Sequence, residues 1–114
     1  QLSIATHLSN SLDALETAVA WMVETFPNQP GQAAAGATSF LEMMGLISGG
    51  WMLARGVIEA DIQFKSEQGD TNFLNGKIKT AQYFAHAHLS RTPSLLYPIT
   101  GCGDCVMEFE ASNF

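Results

Sequence analysis

Cys102 and Cys105, three residues apart in a chain of 114, are the side chains with the clearest capacity for chemistry. The C-x-x-C spacing serves either dithiol redox chemistry or zinc. A redox pair needs a βαβ setting, and no strand pattern stands near these thiols. A structural zinc site takes about four ligands, and the chain has no second cysteine pair. His86 and His88 are the available recruits by type. Residues two apart on a helix point to opposite sides, so both cannot grip one ion. A disulfide between the two cysteines would close too small a loop to staple a domain. The expectation is a reduced, metal-free pair in a reducing compartment, the cytoplasm.

The histidines carry a second possibility. Helical spacing puts His86 on a polar face and His88 on an apolar one. An exposed histidine on a helical bundle could relay phosphate, but such domains follow it with Leu-Lys-Gly. Here His86 precedes Ala87-His88-Leu89-Ser90, and His88 precedes Leu89-Ser90-Arg91. Neither fits. Gly101-x-Gly103 follows no strand and is too short to cradle phosphate. The acidic residues form no obvious catalytic pair, and Met43, Met44 and Met52 read as core. No catalytic residue and no metal ligand is assigned, and any cofactor-binding residue is unknown.

The elements that would position such groups have helical rhythm. Leu8, Leu12, Leu15, Val19, Met22 and Phe26 recur at alternating steps of four and three, which predicts an amphipathic helix from about Ile4 to Phe26. Pro27 stops it, and Asn28-Gln29-Pro30-Gly31 makes a turn. From Gln32 to Lys65 no proline intervenes. Phe40, Met44, Ile47, Trp51, Ala54 and Ile58 form one row of this central helix. Met43, Leu46, Gly50, Leu53 and Val57 run beside it. Two rows make a surface that predicts burial on two sides.

Gly45, Gly49, Gly50 and Gly56 each cost this helix roughly 1 kcal/mol relative to alanine. Gly45 and Gly49, four apart, suit a close helix–helix contact, either between subunits around Trp51 or inside one bundle.

Glu67-Gln68-Gly69 predicts a turn, with Asp70 as N-cap of a third helix. Leu74, Ile78, Ala81, Ala85 and His88 form its inner stripe, and the helix is expected to continue past Pro93, kinked there, towards Leu96. Thr100-Gly101-Cys102-Gly103 suggests a loop, and Val106 to Ala111 a short helical turn. The fold class expected is all-α: an up-and-down antiparallel bundle of three long helices plus a short C-terminal segment, one domain over residues 1–114.

Composition narrows the partners. The apolar fraction of 46% indicates a packed domain. Eleven acidic against five basic residues give a net charge of −6 with no basic run, which disfavours nucleic acid and anionic membrane. The uncharged stretch Met43 to Ala54 is bounded by Glu42 and Arg55, well short of the ~20 residues a membrane span needs. The chain opens on Gln1 already in helical pattern, so a fragment of something longer, or a trimmed chain, is expected.

Gly49-Gly50-Trp51-Met52-Leu53-Ala54-Arg55, then Asn72-Phe73-Leu74, then Lys77-Ile78-x-Thr80-Ala81-x-Tyr83-Phe84-Ala85, then Val106-Met107 and the closing Phe114, form an ordered set. In that order and spacing, over about residues 40–114, the chain resembles the C-terminal helical domain of bacterial acyl-CoA dehydrogenases of the methylmercaptopropionyl-CoA dehydrogenase-like group. Relatives often place proline directly after the position of Leu89, where this chain has Ser90, and carry small non-thiol residues near Cys102 and Cys105. The resemblance implies a parent flavoprotein in which a carboxylate base takes the α-proton of an acyl-CoA thioester and FAD accepts the β-hydride. Those groups lie in upstream catalytic domains. The resemblance therefore implies a structural or oligomerisation role for this chain, with FAD in the parent enzyme and none bound here. The partners implied are those upstream domains and a second copy in a homodimer. A free-standing helical adaptor is the alternative. The acyl substrate is not readable from these residues.

Overall fold

The computed structural model describes residues 2–66 and 71–114. No strand occurs among them, and the chain is all-helical. The predicted turn at Glu67-Gln68-Gly69 and the cap at Asp70 lie outside the described residues.

Helix α1 spans Leu2–Thr25 and ends two residues before Pro27, which has no N–H to extend it. A short helix α2, Pro30–Ala35, starts on its proline, where a missing N–H costs nothing. Helix α3 runs Ala37–Lys65 and helix α4 Thr71–Ala87. A 3₁₀ segment, Leu89–Leu95, leads into α5, Leu96–Thr100. Helix α6, Gly103–Met107, and a 3₁₀ turn, Ala111–Asn113, end the chain.

Three long helices with a short C-terminal segment is therefore too simple a description. The run expected from Gln32 is broken at Gly36, which caps both α2 and α3. A β-carbon there would run into the Ile99 backbone of α5, so glycine allows α5 to wedge against the corner. The third helix does not continue through Pro93. It tightens to 3₁₀, because Pro93 cannot donate the α-helical bond to the Leu89 carbonyl. The expected helical turn over residues 106–111 begins earlier, at Gly103. Gly103 is buried against Gln32, whose side-chain amide donates to the Asp104 carboxylate.

Two linked cores hold the long helices. Ile4, Val57, Ala81, Ala85 and Leu89 make one, and Ala14, Ala18, Met43, Ile47 and Ile99 the other. Leu8 packs against both. Rising residue numbers on α1 meet falling numbers on α3. Likewise Gly49 meets Phe84 while Gly56 meets Lys77, so α3 runs against α4 as well. The result is a slab of 66 × 28 × 18 Å. Its thickness is about two helix diameters, so α3 has only one layer of neighbours.

That geometry corrects the expected inner stripes. On α1 the buried residues are Ile4, Ser11, Ala14 and Ala18, whereas Leu12, Val19 and Phe26 are exposed. On α3 they are Met43, Ile47, Gly50, Val57 and Ala60, while Met44, Trp51 and Ile58 face outward. On α1 the small side chains of Ser11, Ala14 and Ala18 hold the inner position, where they let the helices approach closely. Within this chain α3 is buried on one side, and its second apolar face is uncovered.

Candidate interaction surface

The residues singled out for chemistry are scattered. Cys102 is half-buried, Cys105 is exposed, and both are free thiols near α6. His86 is exposed at the end of α4 and lies edge-on to His7 of α1, with ring centroids 5.3 Å apart. His88 is half-buried on the other side, against Phe84 and Tyr83. The cysteines and histidines are thus not brought together. Among the described residues no three His, Cys, Asp or Glu side chains gather where they could hold an ion.

The glycines divide. Gly50 is buried against Leu89, and Gly49 is half-buried against Phe84, so both serve contacts inside the domain. Gly45 is exposed, with nothing near its missing side chain. The pair Gly45 and Gly49 is therefore not one open face, because α4 already covers Gly49.

What the structure does expose is a groove between α1 and α3, on the side away from α4. At one end is an apolar cleft of about 440 Å³, lined by Met22, Val23, Phe26, Ala33, Ala37 and Phe40. At the other end a cleft of about 270 Å³ is lined by Ile4, Ala5, Leu8, Ala54, Val57 and Ile58. Between them run two rows of seven-residue period, which keeps each row on one face. The α1 wall is Ala5, Leu12, Val19 and Phe26, and the α3 wall is Ala37, Met44, Trp51 and Ile58. The middle members are open to solvent: Leu12 is 47% exposed, Val19 40%, Met44 40% and Trp51 49%. Arg55 lies over the Trp51 ring, 5.0 Å from its centroid. Apolar strips of this kind are uncommon on monomeric proteins.

Comparison with known proteins places the domain. Residues 2–110 match the family described as acetyl-CoA dehydrogenase C-terminal like. The chain belongs to this family. It is 30% identical over 104 residues to 3-methylmercaptopropionyl-CoA dehydrogenase of Ruegeria pomeroyi. That match covers 91% of the chain and only 18% of the relative. No solved structure matches at comparable significance.

The surface of this acetyl-CoA dehydrogenase C-terminal-like domain carries several clefts. Its groove clefts present alkyl and aromatic side chains. Three further clefts have polar lining: one at Trp21, Glu24, Thr25, Asn28 and Gln29, one that includes Asn72, Lys77 and Thr80, and one that includes Arg55 and Glu59. No helix among the described residues is long and apolar enough to cross a membrane.

Two features are not legible in the sequence. Ser11 is fully buried although polar, and the α1 row Leu12, Val19 and Phe26 faces outward although it belongs to the apolar stripe. The seven-residue period was present in the sequence, but period alone does not say which side a neighbour takes.

Proposed function

We propose that this chain is the C-terminal structural and oligomerisation domain of an FAD-dependent acyl-CoA dehydrogenase. The parent enzyme performs α,β-dehydrogenation of an acyl-CoA thioester in the cytoplasm. Its three long helices act as an up-and-down antiparallel bundle that braces the upstream catalytic domains, and the domain pairs with a second copy as a homodimer. The observation that carries this reading is the family match along residues 2–110, joined to a relative about five times as long that is named 3-methylmercaptopropionyl-CoA dehydrogenase. The groove supports it, since a bracing domain needs an apolar face left for a partner. A free-standing adaptor is not favoured, because the match runs nearly the whole chain.

The test is expression of the uninterrupted reading frame. The expected product is a flavin-containing enzyme that reduces an artificial electron acceptor when given an acyl-CoA. Removal of the residues corresponding to 1–114 is expected to impair assembly before chemistry. A reading frame with no catalytic region ahead of Gln1 would overturn the proposal.

A further inference from the structure

We infer that His7 and His86 form a two-imidazole site for a divalent transition-metal ion, which clips α1 to the end of α4. No spacing in the sequence pairs these two histidines. The packing of α1 on α4 does.

The geometry comes first. His7 is half-buried on α1, and His86 is exposed at the end of α4. Their ring centroids are 5.3 Å apart and their planes stand at 79°. An imidazole binds an ion through a ring nitrogen, in the plane of the ring, at about 2.0–2.1 Å for zinc. With about 1.1 Å more from nitrogen to ring centre, the ion lies about 3.2 Å from each centroid. Two such ligands at a tetrahedral angle have centroids about 5.2 Å apart. The observed separation matches that distance. Rings stacked face to face would aim their nitrogens past each other. Planes at 79° cross in a line, and an ion on that line lies in both. The adjustment that remains is rotation about Cβ–Cγ, a soft torsion in histidine. Exposure leaves His86 room to make it.

The core holds the two helices in this register. Ser11 follows His7 by one turn, and Leu89 follows His86 by three residues. The buried Ser11 hydroxyl donates to the Leu89 carbonyl at 3.2 Å. Residues one turn apart share a helix face, so the contact that fixes Ser11 against Leu89 also brings the imidazoles together.

The surroundings favour a cation. Neither ring hydrogen-bonds to a described residue, so ring nitrogens are available to an ion. His86 stands in the last turn of α4, where the carbonyl end of the helix carries partial negative charge. The net charge of −6 adds a field of the same sign. Among the described residues no third His, Cys, Asp or Glu joins the pair, so water completes the coordination. Imidazole nitrogen suits nickel, copper and zinc, whereas magnesium and calcium take oxygen ligands.

The experiment is calorimetric titration of Ni²⁺ into the untagged chain at neutral pH, with circular dichroism as the check on folding. One ion per chain that depends on both rings is expected. His7→Gln and His86→Gln are each expected to weaken its binding about ten- to a hundredfold with helicity unchanged. The double variant is expected to bind little worse than either single one, because a shared ion needs both rings. Ni²⁺ is also expected to raise the urea midpoint of the unaltered chain and of neither variant. His88→Gln, on the other side of α4, is expected to change nothing. A second ion held by Cys102 and Cys105 would persist in all three histidine variants, so the reading is the loss and not the total. If His7→Gln disturbs the fold, His86→Gln at its exposed position carries the test. Undiminished binding in the histidine variants overturns the site, as does no binding at millimolar Ni²⁺. Additive losses overturn it too, since they describe two separate one-histidine contacts.

Discussion

Gly50 meets Leu89 across the core with no room for a β-carbon: one placed on Gly50 would lie 2.7 Å from Leu89 Cδ1 and 2.8 Å from Cδ2. Leu89 is 1% exposed, so its side chain has nowhere to swing. Gly50→Ala should gain about 1 kcal/mol of helix propensity and lose about 1–3 kcal/mol to overpacking. A lower melting temperature than the parent chain is expected in a thermal scan. An equal or higher one would mean that Leu89 can yield.

Gly45 supplies the opposite case in the same helix. It is exposed and nothing lies within 4 Å of its missing side chain. Gly45→Ala is therefore expected to raise stability by about 1 kcal/mol in urea unfolding. Gly49→Leu should lower it by about 1–3 kcal/mol, since even a β-carbon there sits 3.1 Å from Phe84 Cζ. Loss of stability in the first variant, or tolerance in the second, would contradict the assigned faces.

Ser11 holds the break in the third helix. Pro93 has no N–H to offer the Leu89 carbonyl, and the buried Ser11 hydroxyl donates to it instead at 3.2 Å. Ser11→Ala would remove this hydrogen bond to a buried carbonyl, at a cost of about 1–3 kcal/mol. Because Gly50 and Ser11 both act on Leu89, Gly50→Ala and Ser11→Ala should combine non-additively. Urea unfolding of the two single variants and the double variant measures the coupling. Strict additivity would show that Leu89 does not link them.

Thr92 is fully buried, and its hydroxyl has no hydrogen-bond partner among the described residues. Thr92→Val keeps the shape and removes the stranded polar group, so a gain of about 1 kcal/mol is expected from the relief of desolvation. Destabilisation on the same measurement would reveal a partner for the hydroxyl in solution.

The sequence by itself determined that the chain is helical and where its longest helices lie. Those features are local: proline ends α1, and apolar residues recur at the helical period through α1, α3 and α4. It also carried the family, because the ordered set from Gly49 to Phe114 needs no coordinates to be compared. Other features were decided only by tertiary structure. Gly36 reads as one more small residue until the Ile99 backbone arrives beside it. Leu12 and Ser11 are neighbours on one helix, and hydropathy favours burying Leu12. The packed fold buries Ser11 instead, since a small hydroxyl lets α1 come close and completes the carbonyl freed by Pro93. An apolar surface wider than one contact has two possible inward faces, and sequence period cannot choose between them. The choice falls to the shape of the neighbouring helix, which is why α4 closed one face of α3 and left Trp51 on the other.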